Sequence, residues 1–283
     1  MSGTETPPVC VVDCFGLTDA GKTRPANEDH FVIASMRKSV RVRHTSLEAQ
    51  RLGDRLGGPE AFLFVVADGV GGRAGGSKAS GTAVGILLEY LGEAAGCYHS
   101  FDVEEEHEFL ERIEQAVRRA HERLLGDHGD GEKNPATTLT MAMLLYPRAY
   151  VVHVGDSRAY VLRNDRLRQL TRDQTIGEYM VNVGAWTEAQ AAKAGAARAL
   201  SSAVGGSELS PSIGLIDLEL GDVLLLCTDG ISKHVPDDQV AAVLARPGDA
   251  ESICRELADR ALRDGGTDNL TVIVARMRPP ETA

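Results

Sequence analysis

Four apolar runs in this chain begin or end on an aspartate, and that recurrence limits how the chain can fold. AFLFVVA leads into Asp68 and Gly69, VVHVG into Asp156, and DVLLLC into Thr228, Asp229 and Gly230, while Asp268 opens the last apolar run, GGTDNLTVIV. A single Asp-Gly after a strand is usually a plain turn, because the pair suits turn geometry. Four carboxylates at the rims of strands that share one core are another matter. Several would converge, and like charges repel unless cations neutralise them. A set of oxygen ligands without His or Cys suits hard ions, Mg2+ or Mn2+, rather than zinc. The glycine after Asp68 would also let a backbone carbonyl come close to an ion.

The runs themselves read as strands: VCVVDCF, AFLFVVA, TLTMAMLL, AYVVHV, RAYVLR, LIDLEL, DVLLLC and NLTVIVA. Helical spacing of apolar residues (Val84, Leu87, Leu88, Leu91; then Leu110, Ile113, Val117, Leu124) predicts helices over 76–95 and 104–125. Residues 237–263 predict two more, the first opened by Pro236 and Asp237, the second by the turn at 247–249. RNDR at 163–166 reads as a hairpin turn. Strands and helices are partly segregated, which points to α+β rather than a doubly wound parallel sheet. At 283 residues and 43% hydrophobic content, with no repeat or linker, one domain is the simplest organisation.

Several function classes drop out. With 41 acidic residues against 30 basic ones, a net charge of −11, the surface is poorly suited to tracking nucleic-acid phosphates. No run approaches the roughly 18 apolar residues that span a bilayer, and MSGTETPPVC has no export pattern. The five cysteines (Cys10, Cys14, Cys97, Cys227, Cys254) contain no CxxC pair, so free buried thiols and a cytoplasmic setting are expected. The glycine loop resembles a dinucleotide fingerprint at 69–74, but Asp68 would face the pyrophosphate. As a P-loop, GGRAGGSK at 71–78 has Ser and Lys in reversed order, and no HExxH follows His107 or His121.

A second cluster, TRPANEDHF at 23–31, sets Arg24 just before Glu28 and Asp29. Alone it would be a solvated surface pair. Beside a two-metal site, a guanidinium fork acquires a use, since it can hold a phosphate bidentately.

Taken together, RPANED (24–29), VVADGVGG (65–72), TTLT (137–140), VGDSRAY (154–160), CTDGI (227–231) and GTDN (266–269) resemble the ordered motifs of metal-dependent serine/threonine protein phosphatases, the type 2C class. The resemblance implies a four-layer sandwich, two central antiparallel β-sheets flanked by pairs of α-helices, over about residues 10–278, with short tails at 1–9 and 279–283. It implies two Mn2+ or Mg2+ ions: Asp68 bridging them, Asp229 and Asp268 completing one, Glu28 and the carbonyl of Gly69 serving the other. Asp29 would orient metal-bound waters, Arg24 would grip phosphate, and Asp156 would belong to a weaker third site. The implied reaction is hydrolysis of phosphoserine and phosphothreonine in proteins by a metal-bridging hydroxide attacking in line. Implied partners are phosphoproteins, among them a serine/threonine kinase, with no nucleic acid or membrane and a monomeric chain. An inactive binding or regulatory module is the alternative, but such a module would be expected to lose a metal carboxylate, and all are present.

Three features depart from the family pattern. Val70 stands where many eukaryotic members have a histidine, leaving a metal-bound water as the preferred proton donor and His234 as a weaker one. Lys233, four residues after Asp229, puts an ammonium where an ion near Asp156 would sit, which opposes cation binding. The segment 171–207, with the only Trp, corresponds to a flap beside the site, and packs there or senses substrate.

Overall fold

With one exception, the apolar runs lie in strands. The computed structural model describes residues 10–36, 60–70, 74–94, 103–126 and 135–280; the outer tails, Gly71, Gly72 and Cys97 lie outside these. In chain order the strands are β1 (Val11–Asp19), β2 (Asp29–Met36), β3 (Ala61–Val70), β4 (Ala136–Thr137), β5 (Leu139–Leu145), β6 (Arg148–Val154), β7 (Arg158–Arg163), β8 (Arg166–Gln169), β9 (Ser212–Asp217), β10 (Val223–Cys227) and β11 (Leu270–Arg278). The helices are α1 (Ala74–Ala94), α2 (Val103–Gly126), α3 (Ile176–Asn182), α4 (Glu188–Ala191), α5 (Asp229–Ser232), α6 (Asp237–Leu244) and α7 (Ala250–Arg263).

The strands form two antiparallel sheets, one ordered β1-β11-β10-β7-β8 and the other β2-β3-β5-β6-β9, with β4 paired to β3. Alternation along the strands explains the layering. On β3, Leu63 and Val65 face helices α1 and α2, packing with Leu87, Ile113 and Val117. Phe64 and Val66 point the other way, into a layer shared with Leu224, Leu226 and Ile273 of the first sheet. The opposite face of that sheet (Leu225, Val272, Val274) packs on Val240, Leu244, Ile253 and Leu257 of α6 and α7. The result is the four-layer α+β sandwich. Burying both faces of each sheet is worth roughly 1.5–3 kcal/mol per large aliphatic side chain.

Local chemistry sets the element ends. Asn164 and Asp165 both take positive φ (49° and 59°), so the β7–β8 connection is the tight turn that RNDR predicts. At α7, Asp249 caps the start by accepting from the Ser252 amide at 2.8 Å, and Arg260 and Arg263 sit in the last turn, where the helix dipole favours cations. The exception is β9. LIDLEL predicts a strand over 215–220, whereas the strand spans Ser212–Asp217 because its register runs opposite β6, from Arg148–Asp217 to His153–Ser212. The chain then turns at Gly221, with φ of 94°.

Segment 171–207 folds back on itself. Thr175 and Leu200 form an isolated antiparallel bridge. Thr175 caps α3, Thr187 and Gln190 form a capping box on α4, and a 3-10 turn over Gly195–Arg198 follows.

Candidate metal centre

The two sheets meet at one rim, where the register delivers the carboxylates. Asp29, the first residue of β2, is the direct partner of Asp68 near the end of β3. Across the interface, Thr228 and Thr271 at the ends of β10 and β11 donate to Asp29 Oδ2 at 2.8 and 2.7 Å, so one buried carboxylate ties the sheets together. Asp229 opens α5 directly after β10. Gly230 must be glycine here: a Cβ would stand 1.9 Å from the carbonyl oxygen of Asn269.

Glu28 and Gly69 also come together. A Cβ built on Gly76 would lie 2.8 Å from the Glu28 carboxylate carbon and 2.8 Å from the Gly69 carbonyl oxygen, so the two groups converge over a backbone with no side chain. Five carboxylates, Glu28, Asp68, Asp156, Asp229 and Asp268, line one cavity of about 260 Å³, together with Gly69 and Arg24. Every residue expected at the site is therefore in it except Asp29, which lies just beneath.

Crowding shows in the protonation equilibria. Burial, then the charges of Asp29, Asp229, Asp156 and Asp268, push the Asp68 carboxyl well above the usual range. Burial likewise pushes Asp29 and Asp156 up to about 7. Burial raises Asp229 too, against the opposing charge of Lys233. Asp268 behaves differently: half-burial would raise it, but hydrogen bonds from Arg24 and Lys233 hold it below the usual value.

Both cations line the carboxylate cavity and are paired within it. Lys233 pairs with Asp229, and with Asp268 at 3.0 Å. It reaches Asp156 through its charge, which opposes the upward shift of that carboxyl. The reason is helical: residues four apart share a face, so Lys233 falls beside Asp229. Arg24 sets Nε and Nη2 on Asp268 at 2.7 and 3.0 Å, a bidentate grip that leaves its Nη1 edge open. With side chains so paired, no three carboxylates among the described residues close on a single point.

The donor set nevertheless fits hard cations. Glu28 Oε1, Asp29 Oδ1 and Asp229 Oδ1 are buried with no hydrogen-bond partner among the described residues, and an orphaned buried carboxylate oxygen is costly unless a cation meets it. His234 lines the larger neighbouring cavity and not the carboxylate cavity, with its Nε2 against the amide and Oγ1 of Thr267 at 3.2 and 3.0 Å. Val70 is exposed and has nothing to ionise.

Sequence reading missed the supporting residues. Asn269 Nδ2 donates to the carbonyls of Ala20 and Ala26 while its Oδ1 accepts from the Glu28 amide, all at 2.9 Å, which shapes the loop bearing Arg24 and Glu28. Ser80 donates to the Glu28 carbonyl at 2.6 Å, and Thr138 Oγ1 accepts from the Asp68 amide at 3.0 Å. GTDN and TTLT contain two of these residues, but nothing local signals what they hold.

The sequence pattern described as "Protein phosphatase 2C" matches residues 52–271. The chain is 34% identical over 217 residues to the serine/threonine protein phosphatase PstP of Mycobacterium tuberculosis, covering 76% of this chain and 40% of that protein. It thus spans about two fifths of that relative's length. It is 28% identical over 214 residues to the serine/threonine phosphatase stp of Listeria innocua, covering 75% of this chain and 83% of that one. A crystal structure of the M. tuberculosis serine/threonine phosphatase PstP/Ppp superposes with a TM-score of 0.74 at 27% identity, covering 95% of this chain and 100% of that one. Another, of a PstP catalytic domain in complex with 2 manganese ions, gives a TM-score of 0.72 at 27% identity, with coverage of 95% and 100%.

Proposed function

Because this chain belongs to the protein phosphatase 2C family, we propose that it is a metal-dependent serine/threonine protein phosphatase that hydrolyses phosphoserine and phosphothreonine in proteins. The observation that carries the reading is the set of orphaned carboxylate oxygens at a rim of five carboxylates. Asp68 would bridge two divalent ions, Mn2+ or Mg2+, with Asp229 and Asp268 completing one and Glu28 and the Gly69 carbonyl serving the other. When bound, the ions supply Lewis acidity that acidifies a water and balances phosphoryl charge.

The chain's own residues do the rest. Asp29, fixed by Thr228 and Thr271, keeps Oδ1 free to orient a water. Arg24 offers its open Nη1 edge to a phosphoryl oxygen while its other edge steadies Asp268. Lys233 weakens a third cation position near Asp156 by adding positive charge there. No Ser or Cys nucleophile is needed: Cys227 is fully buried in β10, where desolvation pushes its thiol up to about 12.

We read residues 10–278 as one phosphatase domain and the segment 171–207 as its flap, a reading supported by the core layer shared between the sheets. Among the described residues no helix is long and apolar enough to cross a membrane. We read the protein as a cytoplasmic monomer acting on phosphoproteins, a serine/threonine kinase among them. The test is turnover of phosphothreonine and phosphotyrosine peptides with manganese and with chelator. Manganese-dependent release from phosphothreonine is expected; activity undiminished by chelator would sink the reading.

A further inference from the structure

Thr138 stands opposite Asp68, in the register that pairs Gly69 with Thr137 and Val66 with Thr140. A hydrogen-bonded antiparallel pair exchanges two main-chain bonds. Here one is of that kind: the Thr138 amide donates to the Asp68 carbonyl at 2.9 Å. The Asp68 amide donates instead to the Thr138 hydroxyl, at 3.0 Å. The Thr138 carbonyl, released from the ladder, accepts from Thr137 Oγ1 at 2.9 Å, and the strand divides at this residue into β4 and β5. A side chain has thus replaced backbone opposite the carboxyl that four others press on.

What the replacement gains is a second grip. Thr138 Oγ1 also lies 2.7 Å from Ser157 Oγ, a hydrogen bond buried from solvent. Ser157 directly follows Asp156, and its carbonyl accepts from Thr140 Oγ1 at 3.1 Å. On the other side of Asp156, Gly155 packs its backbone on the same threonine: with φ of 107°, a Cβ there would lie 2.6 Å from Thr138 Cγ2. Asp156 is therefore bracketed by two neighbours that touch Thr138, one at its hydroxyl and the other at its methyl. A carbonyl in the ladder would reach Asp68 alone.

Building on the phosphatase reading above, we propose that Thr138 is a positioning residue for the metal centre, its hydroxyl holding the bridging Asp68 and the outlying Asp156 at one spacing. Repulsion between the two carboxylates is opposed by a link of three groups, the Asp68 amide and the hydroxyls of Thr138 and Ser157. Thr138 is fully buried and lines neither the carboxylate cavity nor its larger neighbour, so it acts only through Asp68 and Asp156.

The hydroxyl and the methyl can be removed separately. Thr138→Val keeps the shape and deletes the hydroxyl; Thr138→Ser keeps the hydroxyl and deletes the methyl. Each is compared with wild type in manganese binding by calorimetry, in exchange of the Asp68 amide by NMR with chelator present, and in turnover of a phosphothreonine peptide. We expect Thr138→Val to weaken manganese binding and lower kcat by roughly tenfold each, with KM within about twofold. Its Asp68 amide should exchange faster while helix α7 stays protected. Thr138→Ser should stay within about threefold of wild type in manganese affinity and kcat, whatever it loses in melting temperature. A harmless Thr138→Val, or a Thr138→Ser as damaging as Thr138→Val, overturns the proposal, because packing on Gly155 would then be all that Thr138 supplies. If Thr138→Val fails to fold, Ser157→Ala cuts the same link from its other end and should weaken manganese binding; unchanged affinity there overturns the proposal as well. A wild type that binds manganese but turns over no phosphopeptide defeats the phosphatase reading alone, and the binding comparison still decides the role of Thr138.

Discussion

Asp68 and Arg198 line the same small cavity, but from walls built on opposite rules. Asp68 stands on a strand buried on both faces, its backbone held by Thr137 and Thr138 and its charge pressed by four other carboxylates. Arg198 stands on a 3-10 turn among alanines, exposed, with its side chain uncommitted. The rim has its geometry fixed by the core and therefore stores electrostatic tension. The segment opposite has few buried contacts, and so can offer a charge without distorting anything. The contrast separates a wall whose geometry the core fixes from one that presents its side chain on an exposed turn.

That contrast can be broken most severely at Asp68. Asp68→Asn removes the charge expected to bridge two ions, and should cost on the order of a thousandfold in kcat on a phosphothreonine peptide. Circular dichroism should still report a folded protein; activity within tenfold of wild type would show that the rim is not the reacting wall.

The stored tension has its own signature in pH. Asp29 and Asp156 are pushed from an ordinary 3.8 to about 7. A carboxyl raised in the folded state binds more protons folded than unfolded, so its contribution is present at low pH and lost as pH climbs from about 4 to about 7. With chelator, urea-melt stability should therefore fall by a few kcal/mol across that window. Excess manganese should flatten the fall, since ions stabilise the ionised carboxylates and the folded state that binds them.

Packing distinguishes the walls as well. Gly230→Ala, whose Cβ would press on a backbone carbonyl at 1.9 Å, should destabilise by roughly 3 kcal/mol. Lys233→Met, which removes the ammonium from Asp229 and Asp268, should tighten manganese binding by roughly tenfold in calorimetry and lower the melting temperature in chelator. Gly195→Ala in the opposite wall meets nothing within 4 Å and should shift stability by less than about 0.5 kcal/mol.

Much of the carboxylate wall was legible because each part of it is local. An apolar run that stops on Asp-Gly marks a strand end, and the motif order locates Asp68, Asp156, Asp229 and Asp268 without any knowledge of the sheets. The hairpin at Asn164 and Asp165 was legible for the same reason: two residues that tolerate positive φ sit between two strand patterns. The charge of Lys233 acts on Asp156 as the sequence reading expects, but its ion pairs with Asp229 and Asp268 were not read, although a lysine four residues after an aspartate at a helix start is its natural partner.

Strand periodicity, turn chemistry and the run of acidic rims were determined by the sequence alone, since they depend on neighbours a few bonds apart. Tertiary structure decided what those rims meet. Thr228 and Thr271 reach Asp29 across about 200 and 240 residues of chain, and Asn269 shapes the Glu28 loop over a similar span. It also decided that Arg24 and Lys233 close on Asp268, and that Arg198 faces the carboxylates from the far wall. Contacts of that kind carry no local signature: they exist only once burial of both faces has forced two sheets into register, and the polar groups left at their shared edge must find partners in whatever the folding brings beside them.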